Sequence, residues 1–447
     1  MVTTAGDDGL ARRGDAPTTA PDETVADRPL ADQKVDHDAS GPTGEQADSL
    51  VAIERSQWAR ALFVGLAAYV VSRLCVLAGA AVRSAQLVVD AREDGEPEPG
   101  ALGTIADVLT SWDGQWYMTI VREGYPDSIP TPITYDELEA RAAFFPVFPW
   151  LVRAADVLIP GGDTLAALTV NFFLGALSVV LIGMIARHLY SVGVAARAMT
   201  LYAIFPGSFV LSFAYAEATM IVLSAVCMLL LLDRRWLLAG LVALVTTASR
   251  PNGLAIVAAC AVAAFIAIRQ RRDWSALLAV IPAPFGFIFF QWYVDDTAGE
   301  SGAWFRVQSE AWSEGTSFGL TALTNTVEFL RAPLGSPANA LTALSLLALA
   351  GMAFCAWRAK LAAPLVAFSA VVIVLMLIPE TVTARPRFLF TAFPLFIGVA
   401  AWWPQPRTAG DHHRASWDRA GWDLVLVIGG AGLVALTTLY SVFAAIP

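Results

Sequence analysis

Long apolar runs recur along the chain, each close to the roughly 20 residues that a helix needs to cross the hydrocarbon of a bilayer. They fall near residues 59–83, 163–186, 211–232, 251–268, 275–294, 339–357, 362–379, 386–403 and 422–445. Shorter apolar runs near 195–210 and 236–249 read as further, tightly turned spans, so the pattern predicts about eleven transmembrane helices. Basic residues gather between the runs: Arg55 and Arg60, then Arg187/Arg197, Arg234/Arg235, Arg269/Arg271/Arg272, Arg358/Lys360 and Arg407/Arg414/Arg419. With these clusters on the cytoplasmic side, the spans alternate correctly, with the N-terminus inside and the C-terminus outside. The segment 143–160, "AFFPVFPWLVRAADVLIP", must then stay half-embedded or interfacial, which suits its prolines and its Arg153 and Asp156.

Composition agrees with the pattern. Of 447 residues 56% are hydrophobic and 15% charged, against roughly 25% charged in soluble domains. The fold class is therefore an all-α polytopic protein of the cell membrane. Much of the net charge of -10 lies in residues 1–50, which hold eleven acidic against four basic residues and no aromatics. That stretch reads as a disordered acidic cytoplasmic tail before a membrane domain at 55–447. It lacks the apolar core of a cleaved signal. The four cysteines lie singly in apolar runs and the four histidines form no ligand pattern, so no zinc or haem site is expected. Membrane lipids are expected partners, and nucleic acid is not.

The topology sends two large loops, 84–141 and 295–338, and the turn 379–387 to the extracytoplasmic face. Loop one contains "SWDGQWYMTIVREGY" (111–125), and the second large loop contains "DDTAGESGAWFRVQSEAW", equally rich in acids and aromatics. Over 105–122 the spacing of Leu109, Trp112, Trp116 and Ile120 predicts one interfacial helix, with Asp113 and Tyr117 as neighbours on the adjoining face. Pattern alone leaves Asp113 open between an exposed residue on an anchoring helix and a general base that deprotonates an acceptor hydroxyl. Arg250, Arg385 and Arg387 fall on the same side, and arginine grips phosphate through paired hydrogen bonds. Each could equally anchor the interface. Glu217, at the edge of an apolar run, either binds a sugar or pairs with Arg250. Arg73, in the first span, is expected to snorkel outwards.

The stretches "WDGQWYMTIVREGY", "AFFPVFP", "FPGSFVLSFAYAEA", "SRPNGL" and "PRFLF", in this order, resemble the PIG-V family of integral membrane mannosyltransferases, whose eukaryotic members extend glycosylphosphatidylinositol precursors. The resemblance covers residues of about 105 to about 390. It implies a GT-C glycosyltransferase fold, a polyprenyl-phosphate sugar donor, a catalytic acid in the first external loop and transfer with inversion. Carried over by position, Asp113 matches that acid, Glu217 the glutamate of the family's Tyr-Ser-Glu or Tyr-Thr-Glu element, Arg250 and Asn252 the ends of its Arg-Ser-Asn-Gly element, and Arg387 the arginine of its Arg-Phe-Leu element. Pro251 and Ala216 depart from it, each replacing a hydroxyl residue. An acidic tail and only two lysines point to a bacterial member, with an acceptor other than that precursor.

The function so implied is transfer of a hexose, mannose foremost, from a polyprenyl-phosphate donor to a lipid or glycan acceptor outside the cytoplasm. Asp113 would be the base, and Arg250, Arg385 and Arg387 the phosphate ligands. Trp112, Gln115, Trp116, Tyr117, Glu217 and Asn252 are candidates to bind sugar or acceptor. The scheme requires no cofactor; a divalent ion on Asp113 and a second carboxylate stays open. Two alternatives remain: the same fold using polyprenyl-phosphate arabinofuranose or glucose, and a flippase for lipid-linked sugars.

Overall fold

A computed structural model describes residues 44–97, 99–381, 383, 385–404 and 412–440, with side chains described from 52 onwards except at 412–417. The chain divides into the units Met1–Ile53 and Glu54–Pro447, and the site lies in the second. Residues 1–43 of the expected acidic tail lie outside the described residues, while 44–50 are helical.

The described residues form helices and no strand beyond an isolated bridge between Thr316 and Pro379. The first helices are α1 (Gly44–Glu93), α2 (Ala101–Leu109), α3 (Asp113–Glu123), α4 (Val147–Asp156), α5 (Asp163–Leu189) and α6 (Val192–Ile204). Then come α7 (Glu217–Leu232), α8 (Trp236–Thr247), α9 (Ala255–Arg271), α10 (Leu277–Val280), α11 (Phe285–Ala298) and α12 (Ala303–Ala311). The remainder are α13 (Leu320–Arg331), α14 (Pro337–Arg358), α15 (Ala363–Leu377), α16 (Pro386–Thr391), α17 (Pro394–Trp402) and α18 (His412–Tyr440). Among the described residues six stretches are long and apolar enough to cross a membrane: Ala52–Glu93, Asp163–Leu189, Pro251–Arg271, Trp274–Ala298, Pro337–Arg358 and Asp418–Tyr440. Helices α6, α7, α8 and α15 are shorter and also apolar. The chain is an all-α, multi-pass membrane protein.

Local chemistry sets several boundaries. Ser336 caps α14 by accepting the Asn339 N–H, with Pro337 at the first helical position, where a missing N–H costs nothing. The run expected to span as 386–403 is instead α16 and α17, interrupted at Ala392, where ψ turns to 48° ahead of Pro394. Segment 143–160 does not cross as one helix; it holds the end of the 3₁₀ turn Leu138–Ala143 and α4.

A non-helical stretch, 212–216, follows the 3₁₀ turn Pro206–Leu211 through the protein interior. Buried backbone needs partners. Asn171 of α5 donates to the carbonyls of Phe213 (2.5 Å) and Tyr215 (2.8 Å), and the Ala214 N–H donates to the Leu109 carbonyl. Arg73 of α1 donates to the Ser208 carbonyl (2.7 Å), to Ser208 Oγ (2.8 Å) and to Ser212 Oγ (2.9 Å). The snorkelling expected of Arg73 is therefore corrected: its side chain is buried and ties the first span to this interior segment. Gly207 lets the turn close onto α16, since a Cβ there would come within 2.2 Å of the Pro386 carbonyl oxygen. These contacts fix Tyr215 and Glu217 opposite Arg387.

Candidate active site

Asp113 begins α3 because the chain breaks just before it. Trp112 takes a φ of +56°, which costs a non-glycine residue on the order of 1–3 kcal/mol. Its indole Nε1 donates to the Tyr440 carbonyl at 2.5 Å. The single helix expected over 105–122 is thus two helices, and Trp112 sits in the break rather than on a continuous stripe.

Four charged side chains from four distant segments meet at this break. Arg387 Nη1 donates to Asp113 Oδ2 at 3.0 Å and to the Tyr440 hydroxyl at 2.7 Å. Arg250 lies between the carboxylates, with Nη1 at 2.7 Å from Glu217 Oε2 and Nη2 at 4.0 Å from Asp113 Oδ2. The Arg250–Glu217 contact lacks hydrogen-bond alignment, so it is held by charge attraction between two side chains 9% and 0% exposed. Two cations facing two anions make a neutral cluster, and that is what lets Glu217, Arg250 and Arg387 stay buried beside a partly exposed Asp113. Behind it, the Tyr215 and Tyr440 hydroxyls are 3.0 Å apart, and Tyr215 donates to the Ser111 carbonyl. The proton order Arg387 to Tyr440 to Tyr215 to Ser111 satisfies every member of that chain.

Asp113, Arg250 and Arg387 open onto a cavity of about 450 Å³, which Tyr117, Asn252, Phe144, Trp304, Gln308, Trp312 and Phe388 also line. Burial pushes the Tyr117 hydroxyl's pKa up, and the Arg250 charge pulls it partly back. Helix α12 roofs the cavity. Trp304 Nε1 donates to the Ala143 carbonyl at 3.0 Å, and Arg306 reaches Glu300, Glu310 and the Pro130 carbonyl. Glu310 accepts the Ile133 N–H at 3.0 Å. That bond first, and then Arg306, holds the Glu310 carboxyl below the usual glutamate range. Glu314 accepts from the N–H groups of Glu380 and Thr381, joining loop 295–338 to the turn that carries Arg385 and Arg387.

Beside the cavity an apolar cleft of about 710 Å³ opens between α4, α8 and α11, lined by Trp150, Leu244, Ala248, Phe289 and Trp292 among others. The two spaces share a wall, for Phe145 of the cavity packs on Phe290 of the cleft with ring centroids 4.3 Å apart.

The structure thus brings together Asp113, Arg250, Arg387, Glu217, Tyr117 and Asn252. It separates Arg385, whose Nη1 donates to the Ala338 carbonyl at 3.1 Å and which does not line the cavity. Trp112, Gln115 and Trp116 do not line the cavity: the exposed Gln115 donates to the Tyr135 hydroxyl, and Trp116 packs among Tyr135, Phe144 and Trp312. Glu217 is paired with Arg250. Among the described residues no group of three or more histidines, cysteines or carboxylates is placed to hold a metal. Sequence reading missed Trp304, Gln308 and Trp312, although it marked their loop as rich in aromatics. It also missed Tyr215, inside a quoted motif, and Tyr440, which an apolar run of helix does not announce.

No family model and no curated protein matches the chain. Three solved structures of the Archaeoglobus fulgidus oligosaccharyltransferase are similar. The apo form is 13% identical over 84% of this chain and 56% of that one, with a TM-score of 0.45. The form tethered to an acceptor peptide containing the NVT sequon is 14% identical over 84% and 55%, at 0.43. The complex with Zn and sulfate is 14% identical over 83% and 53%, at 0.46. This chain spans a little over half the length of each, and a likeness of that size assigns it to no family.

Proposed function

We propose that this chain is a GT-C membrane glycosyltransferase of the PIG-V type. It moves a hexose, mannose foremost, from a polyprenyl-phosphate donor to a lipid or glycan acceptor on the extracytoplasmic face, with inversion. The observation that carries the reading is Asp113 held between Arg387 and Arg250 at the mouth of an aromatic cavity, with an apolar cleft alongside. Arginines suit a phosphate, aromatic rings suit a sugar, and the cleft suits a prenyl chain.

In this reading the donor phosphate draws Arg387 and Arg250 away from Asp113. Freed, the carboxylate takes the proton of the acceptor hydroxyl while that oxygen bonds to the anomeric carbon from the face opposite the phosphate. The bond from the anomeric carbon to the phosphate oxygen breaks, and its electron pair stays on the phosphate. Charge balances within the site: protonation of Asp113 leaves the cluster one unit positive as the leaving phosphate gains its second negative charge. Electrostatic stabilisation of that kind is often the largest part of catalysis.

The test is reconstitution of the purified chain with a panel of polyprenyl-phosphate sugars and a membrane-lipid extract, with products identified by mass. A hexosylated product with inverted anomeric configuration is expected. No product with any donor, combined with movement of donor across the bilayer, would turn the reading to a flippase.

A further inference from the structure

At the end of α14 away from the site, a groove of about 520 Å³ runs between α14 and α15, with Leu395 of α17 at its floor. It is built by small side chains, Ala353 and Ala356 on one wall and Ser369 and Ala370 on the other. Its size falls in the range of about 300–1,000 Å³ typical of ligand clefts. From Ala338, which receives Arg385, to Arg358 is about 30 Å along the helix. The groove is therefore a separate place from the cavity at Asp113.

Two features give it a direction. Arg358 and Lys360 stand at its mouth, both exposed, and neither pairs with a carboxylate among the described residues. Indoles mark this level as the membrane boundary: Trp357 on the groove, with Trp402 beside Phe354 and Trp403 against Trp422. The turn between the helices is fixed, because the Tyr190 hydroxyl donates to the Ala359 carbonyl at 3.2 Å.

We propose that this groove is a binding site for an anionic phospholipid. One acyl chain lies along Ala353, Ala370 and Ile373, and the phosphate meets Arg358 and Lys360. Apolar walls alone would accept any membrane lipid; two cations at headgroup level select a negative one. The site is independent of the sugar-transfer reading and stands if that reading fails.

The experiment takes the full chain in nanodiscs containing phosphatidylcholine and phosphatidylglycerol and measures, by native mass spectrometry, which lipid stays bound on release. Retention of phosphatidylglycerol over phosphatidylcholine is expected. In Arg358→Ala/Lys360→Ala the preference falls by roughly thirtyfold, the change expected for two cations at an anionic surface. Ala370→Phe, which fills the groove and keeps both charges, lowers retention of either lipid, and Arg269→Ala/Arg272→Ala leaves the preference as it was. Equal retention of both lipids by the unaltered chain would overturn the proposal. So would an equal loss in the Arg269/Arg272 variant, which would assign the preference to the basic face as a whole.

Discussion

Arg387 and Asp113, 274 residues apart in sequence, share a 3.0 Å hydrogen bond, and the same Arg387 nitrogen also donates to Tyr440. One guanidinium thus holds the carboxylate and is itself held from behind. Asp113→Asn keeps a hydrogen-bonding group there and removes the charge that accepts a proton. We expect transfer to fall by about a hundredfold to ten-thousandfold with little change in the KM for donor. Near-normal turnover in a single-turnover assay would remove Asp113 from the role of base. Arg387→Lys, which keeps the charge without the fork, should cost about a hundredfold or more in kcat.

Glu217 and Arg250 form a pair with almost no access to water. Glu217→Ala leaves Arg250 buried with its main counter-charge gone, and loss of one partner from such a pair costs about 3–5 kcal/mol. A clear drop in thermal unfolding temperature is expected. Glu217→Ala/Arg250→Met should recover much of that stability while staying inactive. A double variant no more stable than the single one would show that the two side chains do not depend on each other.

The apolar cleft offers a test of the lipid-linked donor that leaves the charged cluster alone. Ala248→Phe narrows the cleft two residues before Arg250. The KM for a full-length polyprenyl donor should rise by about tenfold, the scale of one or two methylene groups in an apolar pocket. The KM for a short-chain, water-soluble analogue should not move. Equal effects on both would place the tail elsewhere.

Glu310 links the roof of the cavity to pH. Its carboxyl is held below the ordinary value of 4.5 in the folded chain, so the stability it lends is present above that value and is lost as pH falls through the depressed one. Protection factors in 303–311, which divide out the pH dependence of intrinsic amide exchange, should therefore be high at neutral pH and should fall as acidification passes through the depressed value. In Glu310→Gln the protection should be low throughout, with no acid step. An acid step that survives in this variant would point to another carboxylate.

Much of this was legible in the sequence because it rests on local pattern. Apolar runs of membrane length gave the all-α class, and the order of the short motifs gave Asp113, Glu217, Arg250 and Arg387. What stayed hidden depends on contacts between distant segments. Periodicity could not report that Trp112 would leave the helix, since its partner is a carbonyl at residue 440. Arg385 and Arg387 look equivalent in "TARPRFLF", yet Arg385 is the extended residue before α16 and Arg387 lies in its first turn, and one reaches Ala338 while the other reaches Asp113. Arg73 looked like a snorkelling cation because nothing local shows that a buried stretch at 208–212 needs donors.

Tyr440 has a consequence for biosynthesis. Every charged member of the cluster has been translated by residue 387, but the hydroxyl that backs Arg387 and the carbonyl that holds Trp112 arrive only with the last turn of α18. A nascent chain already threaded into the bilayer through α17 therefore has its charges and lacks the strut that fixes them. The order of translation itself leaves the cluster unset until the final described helix has inserted.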